Sequence, residues 1–494
     1  MSKNLKINFT SDVHGYFYPT SYGDRLEKDM GLFKCYSGFD KDENTLCIDG
    51  GDILQGSAFV YYCKSVLNSN RCVAEIMNAC GYDYITVGNH DFNYGVDYLK
   101  EYVEHFNGKC VCQNILNNDC KEMFPYDIKV MPNGLRVGII GMVTDYVNIW
   151  EKEENIKGVR ITDPFVAARK ALQECKNQVD VTIGIYHGGF ENDLTTGELL
   201  SDSTENVAYR ICQELDFDVL LTGHQHMSID GQKVNKTFVV QSCEYAREYQ
   251  CVELTFEDGE LTITSKRKKA TLPADEQLCK KFQSVEDQVQ SWLEAPIGRL
   301  NRDLMPDDKI KMALHGSPIA DFLNQVQFFF SNAQVSSVGL ANEIAGFNRE
   351  VKTRDIIATY PYPNTLVVVE ITGAALKLAM ERSAEYFAVE DDGSIVVSDS
   401  FLKPKAEHYN YDYYAGVDYK INPTNPIGSR IENLSYQGEP VKETDKFSIC
   451  LNNYRYSGAG GYPMYPKCPV LHEINIDMVE LIMDFFMKHP VVEV

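Results

Sequence analysis

Five stretches in the first half of the chain share one layout: a short run of apolar and β-branched residues, spaced as in a strand, breaks off into a polar cluster. They are LKINFTSDVHG, NTLCIDGGD, YDYITVGNHDFNYG, VDVTIGIYHGG and FDVLLTGHQHM, beginning at Leu5, Asn44, Tyr82, Val179 and Phe217. Short alternating runs bounded by Gly, Asn and Asp mark strands. Between them Tyr61–Ala79 and Asp163–Lys176 read as helices, and strands alternating with helices predict a layered α/β sheet. In such sheets a site forms beyond the carboxyl ends of the strands, which is where the polar clusters stand.

The pattern changes near residue 265. The segment KRKKATLPADEQLCKKFQSVEDQVQSWLEAPIG opens with a basic run, and Pro273 and Pro296 bound an amphipathic stretch, which predicts a linker with one bridging helix. Beyond it SPIADFLNQVQFFF predicts a helix, NTLVVVEITG a strand, and tyrosines crowd residues 360–465. At 494 residues the chain exceeds what a single core supports. The expected organisation is an α/β domain over 1–272, a linker helix over 273–296 and an α+β domain over 297–494.

Charge narrows the partners. With 71 acidic and 47 basic residues the net charge is −24, which disfavours a nucleic-acid polymer, whose backbone needs Lys and Arg; a small anion remains compatible with a locally positive site. No apolar run has the length of a membrane span, and MSKNLKINF lacks the core of a signal peptide. Fifteen scattered cysteines with no CxxC pair fit a reducing compartment, so a cytoplasmic protein without membrane attachment is expected. Oligomeric state is not encoded in these features.

The polar clusters carry the chemistry. Any one of them is an ordinary turn, but five of the ten histidines fall in them: His14, His90, His187, His224 and His226, together with Asp12, Asp52 and Asn89. Imidazoles mixed with carboxylates and an amide oxygen suit Mn, Zn, Co or Fe, and eight such groups exceed one site and suffice for two metals.

In that order, DxH, GD, GNHD, H and GHxH, the chain resembles the calcineurin-like metallophosphoesterases, and among them the two-domain 5′-nucleotidase family. The resemblance implies a four-layer αββα catalytic domain and a nucleoside-binding C-terminal domain. It implies that Asp12, His14 and His226 hold one divalent metal, that Asn89, His187 and His224 hold a second, and that Asp52 bridges them. Two such metals, roughly 3.5–4 Å apart, activate a shared hydroxide and clamp a phosphoryl group. His90 would stabilise the transition state and protonate the leaving oxygen. The usual GNHEFDYG reads GNHDFNYG here, so the Asp expected behind His90 is Asn93, and a neutral amide predicts weaker acid catalysis.

TYPYPNTLVVVEITGAALKLAMERSAEYF and LNNYRYSGAGGYP are similar to the nucleoside-binding half, in particular to the bacterial 2′,3′-cyclic-nucleotide 2′-phosphodiesterase/3′-nucleotidase branch. Tyr362 and Tyr454 would sandwich the base, with Asn364, Gly458, Gly460 and Gly461 shaping the pocket. SSVGLANEI and GAGGYP depart from the 5′-nucleotidase branch, Gly460 standing in place of an acidic loop residue. The resemblance therefore implies hydrolysis of nucleoside 2′,3′-cyclic phosphates to 3′-nucleotides and of these to nucleoside and phosphate. The alternatives are a 5′-nucleotidase or nucleoside-diphosphate-sugar hydrolase, and a non-catalytic nucleotide-binding protein.

Overall fold

A computed structural model describes residues 3–200, 203–257, 259–362, 364–403 and 406–494. The chain divides into two units, Met1–Ser21 with Arg25–Gln290, and Tyr22–Asp24 with Ser291–Val494.

The first unit is built on two six-stranded sheets. Their strands in chain order are β1 (Lys3–Thr10), β2 (Thr45–Asp49), β3 (Tyr84–Ile85), β4 (Lys109–Cys110), β5 (Asp127–Val130), β6 (Arg136–Val143), β7 (Val181–His187), β8 (Val219–Thr222), β9 (Ile229–Val234), β10 (Thr237–Gln241), β11 (Glu248–Glu257) and β12 (Glu260–Lys269). One sheet runs β12-β11-β1-β2-β3-β4 and the other β9-β10-β8-β7-β6-β5. β1 to β4 are parallel, as are β6, β7, β8 and β10, and antiparallel strands flank each set.

Period-two alternation explains the layering. Leu5, Ile7 and Phe9 of β1 join Ile139, Ile183, Ile185 and Leu221 of the other sheet in one buried cluster. Thr10 bonds instead to Asp49 and Tyr82, each at 2.7 Å. The outer face of the second sheet, through Ile140, Met142 and Leu220, packs on Phe165, Ala168 and Leu172 of the helix Pro164–Cys175. Asp163 caps that helix, accepting from Val166 N at 3.1 Å. A Cβ on Gly141 of β6 would stand 1.8 Å from the Val111 carbonyl, so only glycine fits there.

Tyr61–Ala79 is not one helix. It breaks into Ala58–Tyr62, a π-turn over Cys63–Leu67 and Arg71–Ala79, because Asn68 takes the left-handed conformation, φ 50°, and ends the first segment. Asparagine tolerates that geometry, and its periodicity alone does not reveal the break.

The helix Glu276–Leu293 follows, burying Leu278, Phe282, Val289 and Leu293 along one stripe; the division between the units falls within it. The second unit centres on a five-stranded sheet of β13 (Val335–Gly339), β14 (Leu366–Thr372), β15 (Asp412–Ala415), β16 (Lys446–Asn452) and β17 (Val470–Ile474), in the order β15-β13-β16-β14-β17. SPIADFLNQVQFFF forms the helix Pro318–Ser331 and NTLVVVEITG supplies β14. Val367, Val369, Ile371, Ile449 and Leu451 pack with Leu376 and Met380 of the helix Gly373–Ala384. Among the described residues no helix is long and apolar enough to cross a membrane.

Candidate active site

Strand register gathers the polar clusters. Thr10 is level with Asp49 across β1 and β2, Asp49 with Ile85 across β2 and β3, and Tyr186 with Thr222 across β7 and β8. The segments after these parallel strands therefore leave each sheet at one edge. Five of the residues there hold left-handed backbones although none is glycine: Asp12 (φ 55°), His14 (49°), Asp52 (57°), His224 (71°) and His226 (54°). Such conformations cost free energy and gather where a site needs its side chains aimed.

Asp91, in the middle of GNHD, supports one of these turns. Its carboxylate accepts four backbone N–H groups: Asp52 at 3.0 Å, Ile53 and Leu54 at 2.9 Å, and Gly88 at 2.8 Å. Burial pushes its carboxyl up to about 6. Removing it as Asp91→Ala strands those buried donors and is expected to destabilise by about 3 kcal/mol or more, since each orphan costs roughly 1–3 kcal/mol; a denaturant-unfolding comparison with wild type measures the loss.

Asp12, His14, Asp52, Asn89, His187, His224 and His226 converge. His14 Nε2 is 3.3 Å from His226 Nε2, and His226 Nε2 is 3.4 Å from Asp12 Oδ1. His187 Nε2 lies 3.0 Å from Asp52 Oδ2 and 3.1 Å from Asn89 Oδ1, and His224 Nδ1 is 2.9 Å from the same Asn89 oxygen.

Tautomers follow from the outward bonds. His14 Nδ1–H donates to the Gln55 carbonyl at 2.9 Å and His187 Nδ1–H to the Gly50 carbonyl at 2.7 Å. His224 Nε2–H donates to Glu205 at 2.8 Å. In the neutral rings the other nitrogens, turned inward, therefore present lone pairs toward carboxylate and amide oxygens that are acceptors too; without a cation a second proton on His187 Nε2 takes that place, 3.0 Å from Asp52 Oδ2. Asp52 Oδ2 is buried and accepts no hydrogen bond of sound geometry, while Asp52 Oδ1 takes His90 N–H at 2.7 Å. Acceptors facing acceptors in a buried cluster fit a cation between them, and an imidazole whose outer N–H is tied to a carbonyl or carboxylate is the usual form of a metal ligand.

The electrostatics agree. Burial pushes the Asp12 carboxyl up, but His226 and His187 outweigh it and hold it at about 2; Asp52 is likewise held well below the usual range against burial by His187 and His90. Burial lowers His187, yet Asp52 and Asp12 drive it up to about 10. The pocket attracts positive charge. Asp12, His14 and His226 form one group with geometry to hold a metal, and Asp12, Asp52 and His187 an overlapping second.

His90 stands beside the cluster, its ring 5.4 Å from that of His14. Its Nδ1 is 2.8 Å from Asn93 Oδ1.

In the second unit, Tyr362, Asn364 and Tyr454 line a cavity of about 390 Å³ together with Gly339, Tyr409 and Asn452. Tyr409 sets its ring 6.0 Å from Tyr362 at 65° and 6.3 Å from Tyr454 at 71°. Gly458, Gly460 and Gly461 do not line this cavity. A Cβ on Gly460 would meet Arg455 Nη1 and Asn410 Oδ1 at 2.3 Å, and one on Gly461 would meet Arg382 Nε at 2.5 Å. Gly460 and Gly461 give room to the guanidinium groups of Arg455 and Arg382, whereas a Cβ on Gly458 would meet Pro466 Cγ at 3.1 Å.

Comparison with known proteins agrees with this architecture. Residues 5–228 match the calcineurin-like phosphoesterase model and residues 296–467 the 5′-nucleotidase C-terminal domain model. A crystal structure of a Staphylococcus aureus protein assigned as a 5′-nucleotidase, in complex with alpha-ketoglutarate, is 33% identical over 99% of this chain and 97% of its own, with a TM-score of 0.73. The chain belongs to the 5′-nucleotidase family of calcineurin-like phosphoesterases.

Among curated relatives of this phosphoesterase, the 2′,3′-cyclic-nucleotide 2′-phosphodiesterase/3′-nucleotidase of Haemophilus influenzae is 26% identical over 92% of the chain and 80% of the relative. The trifunctional nucleotide phosphoesterase protein YfkN of Bacillus subtilis is 24% identical over 99% of the chain, which spans only 38% of that longer protein. The family is one of metal-dependent phosphoester hydrolases, and the Asp/His groups above are its candidate metal site.

Four residues of the phosphoesterase escaped the sequence reading. Glu205 braces His224 but lies in a polar stretch with no pattern. Trp150 stacks on His224, rings 5.5 Å apart at 28°; as one of only two tryptophans it could have been singled out. Tyr409 sits in the tyrosine-rich HYNYDYY, where no spacing separates a cavity wall from core. Arg455 stands in plain view in NNYRYSG, and only its burial, 2% exposed, reveals its weight.

Proposed function

We propose that this enzyme hydrolyses nucleoside 2′,3′-cyclic phosphates to 3′-nucleotides, and 3′-nucleotides to nucleoside and phosphate. The observation that carries the reading is the convergence of buried Asp12, His14, Asp52, Asn89 and His187 with half-buried His224 and His226, together with an Asp52 oxygen that accepts no hydrogen bond. In this reading Asp12, His14 and His226 would hold one divalent cation and Asn89, His187 and His224 another, with Asp52 available to both. When bound, the two cations supply Lewis-acid polarisation of the phosphoryl group and an acidified water. His187, His14 and His224 keep their orientation through the outward bonds to Gly50, Gln55 and Glu205. Water attacks phosphorus in line and gives up one proton to solvent; the bond from phosphorus to the ribose oxygen breaks, and that oxygen departs with the electron pair and takes a proton from His90 Nε2, which solvent then replaces.

The tyrosine cavity is the candidate seat of the base. Aromatic faces stack on any base, at roughly 1–3 kcal/mol each. Tyr454→Ala is therefore expected to raise KM for 3′-AMP about tenfold or more, with a much smaller effect on p-nitrophenyl phosphate, which carries no nucleoside. Steady-state kinetics on the two substrates checks this.

A second reading, a 5′-nucleotidase, is favoured by the assignment of the 33%-identical relative. The deciding experiment measures turnover of 2′,3′-cAMP, 3′-AMP, 5′-AMP and a sugar nucleotide with Mn, Zn, Co or Fe supplied. Preference for the first two substrates supports the proposal, and preference for 5′-AMP overturns it. No turnover with any metal would leave a nucleotide-binding protein. For location we retain the reducing compartment, since the fifteen cysteines are all free thiols; a Listeria monocytogenes relative, 23% identical, is named a cell wall protein.

A further inference from the structure

Behind His90 runs a line of hydrogen bonds that the roles above do not use. His90 Nδ1 meets Asn93 Oδ1 at 2.8 Å, and Asn93 Nδ2 donates to Glu151 Oε1 at 3.4 Å. Asn155 Nδ2 donates to Glu151 Oε2 at 3.1 Å and to the Asn93 carbonyl at 2.9 Å, tying the carboxylate and the Asn93 backbone to one point. Asn93 is only 8% exposed, so its amide must be satisfied by these neighbours.

A primary amide can present either end to its neighbour. With oxygen toward His90 it accepts the Nδ1 proton; flipped, it donates to Nδ1 and forces the proton to Nε2. An ionised carboxylate only accepts, so Glu151 removes the ambiguity.

We propose that Glu151 is a positioning residue for His90: by accepting from Asn93 Nδ2 it locks Asn93 Oδ1 against His90 Nδ1–H, the orientation in which the doubly protonated ring presents Nε2–H to the leaving oxygen. It also places a negative charge at the end of the chain, polarising the amide toward the imidazole although residue 93 is neutral. Burial pushes the Glu151 carboxyl up, and its two amide donors and His90 act against burial; those donors select the ionised state. The proposal rests on the reading of His90 as proton donor, and its test separates the two.

Turnover of 3′-AMP, whose leaving oxygen needs a proton, is compared with that of p-nitrophenyl phosphate, whose phenolate leaves readily, in the Mn-loaded full chain. His90→Ala establishes the acid role through a loss of about 100-fold or more on 3′-AMP. Glu151→Gln is expected to lower kcat on 3′-AMP about tenfold with a smaller loss on the phenyl ester and little change in KM. Asn93→Asp alone places a second carboxylate against Glu151 and is expected to bring no gain. The double variant Asn93→Asp/Glu151→Gln, which moves the charge one residue inward, is expected to recover most of the lost kcat, an outcome that a purely structural role for Glu151 does not produce. As a readout independent of turnover, nitrogen-15 histidine spectra of the metal-free protein should show His90 protonated at Nδ1 in wild type and tautomerically mixed in Glu151→Gln. A single unchanged tautomer, no recovery in the double variant, or wild-type kcat in Glu151→Gln while His90→Ala is impaired overturns the proposal. An unimpaired His90→Ala overturns the parent reading and this one with it.

Discussion

Asp52→Asn is expected to cost the enzyme its divalent cations and to reduce turnover by about a thousandfold or more, with the fold intact. The substitution is nearly isosteric, and the new side-chain oxygen can keep the bond from His90 N–H that Asp52 Oδ1 accepts at 2.7 Å. The change falls on the other atom. Asp52 Oδ2, buried and without a hydrogen bond, becomes an NH₂ group that donates to His187 Nε2, now 3.0 Å away, and occupies the lone pairs a cation would need. Loss of a carboxylate proposed to serve both cations would remove several kcal/mol of transition-state stabilisation, and each 1.36 kcal/mol is tenfold in rate, so about 4 kcal/mol gives a thousandfold. Elemental analysis of the purified variant, urea unfolding and steady-state turnover test the three parts. Two metals per chain retained with near-wild-type turnover would show that the cluster serves another purpose.

The strand-end positions were legible because parallel register does the assembly: once five strands of period two are recognised, their following residues must emerge together. Asp12, His14, Asp52, Asn89, His187, His224 and His226 all follow or end such strands. What the chain pattern does not carry is the layer behind them. Glu205 reaches His224, and Glu151 reaches Asn93, from segments whose local sequence has neither a period nor a turn signature, so only the fold creates those contacts. The π-turn at Cys63–Leu67 was hidden for a different reason, since one left-handed asparagine interrupts a run whose apolar spacing continues. In the second unit Tyr362 and Tyr454 were readable beside Pro, Asn and Gly. The glycines of GAGGYP were expected to shape the pocket; Gly460 and Gly461 stand against Arg455 and Arg382, and Gly458 against Pro466: a glycine signals close approach, but its sequence does not say to what.

Arg455 is where that close approach matters most, and Arg455→Ala is expected to destabilise the second unit by about 3–5 kcal/mol. Its guanidinium forms a bidentate pair with Asp412, Nε to Oδ2 at 2.9 Å and Nη2 to Oδ1 at 2.8 Å, and both side chains are nearly inaccessible, at 2% and 3%. Nη1 donates to the Ala459 carbonyl at 2.8 Å and Nη2 to the Tyr409 carbonyl at 3.1 Å, while the Tyr462 ring lies 4.1 Å from the guanidinium carbon. Alanine leaves the Asp412 carboxylate buried and unpaired, and burial already pushes that carboxyl up despite Arg455. The penalty comes from the orphaned charge more than from the lost attraction. The double variant Asp412→Leu/Arg455→Met, which removes both charges and fills their volume, should therefore recover most of the stability. Denaturant unfolding of the two single variants and the double variant measures the coupling as a cycle. Recovery of stability need not restore binding. Without Arg455 the carbonyl of Tyr409 loses its donor, and that tyrosine stands between Tyr362 and Tyr454 in the cavity, so the stable double variant is expected to keep a raised KM for 3′-AMP. Equal stability of Arg455→Ala and wild type would mean that Asp412 finds water or another donor at that depth, and the argument for a buried pair holding the cavity wall would fail.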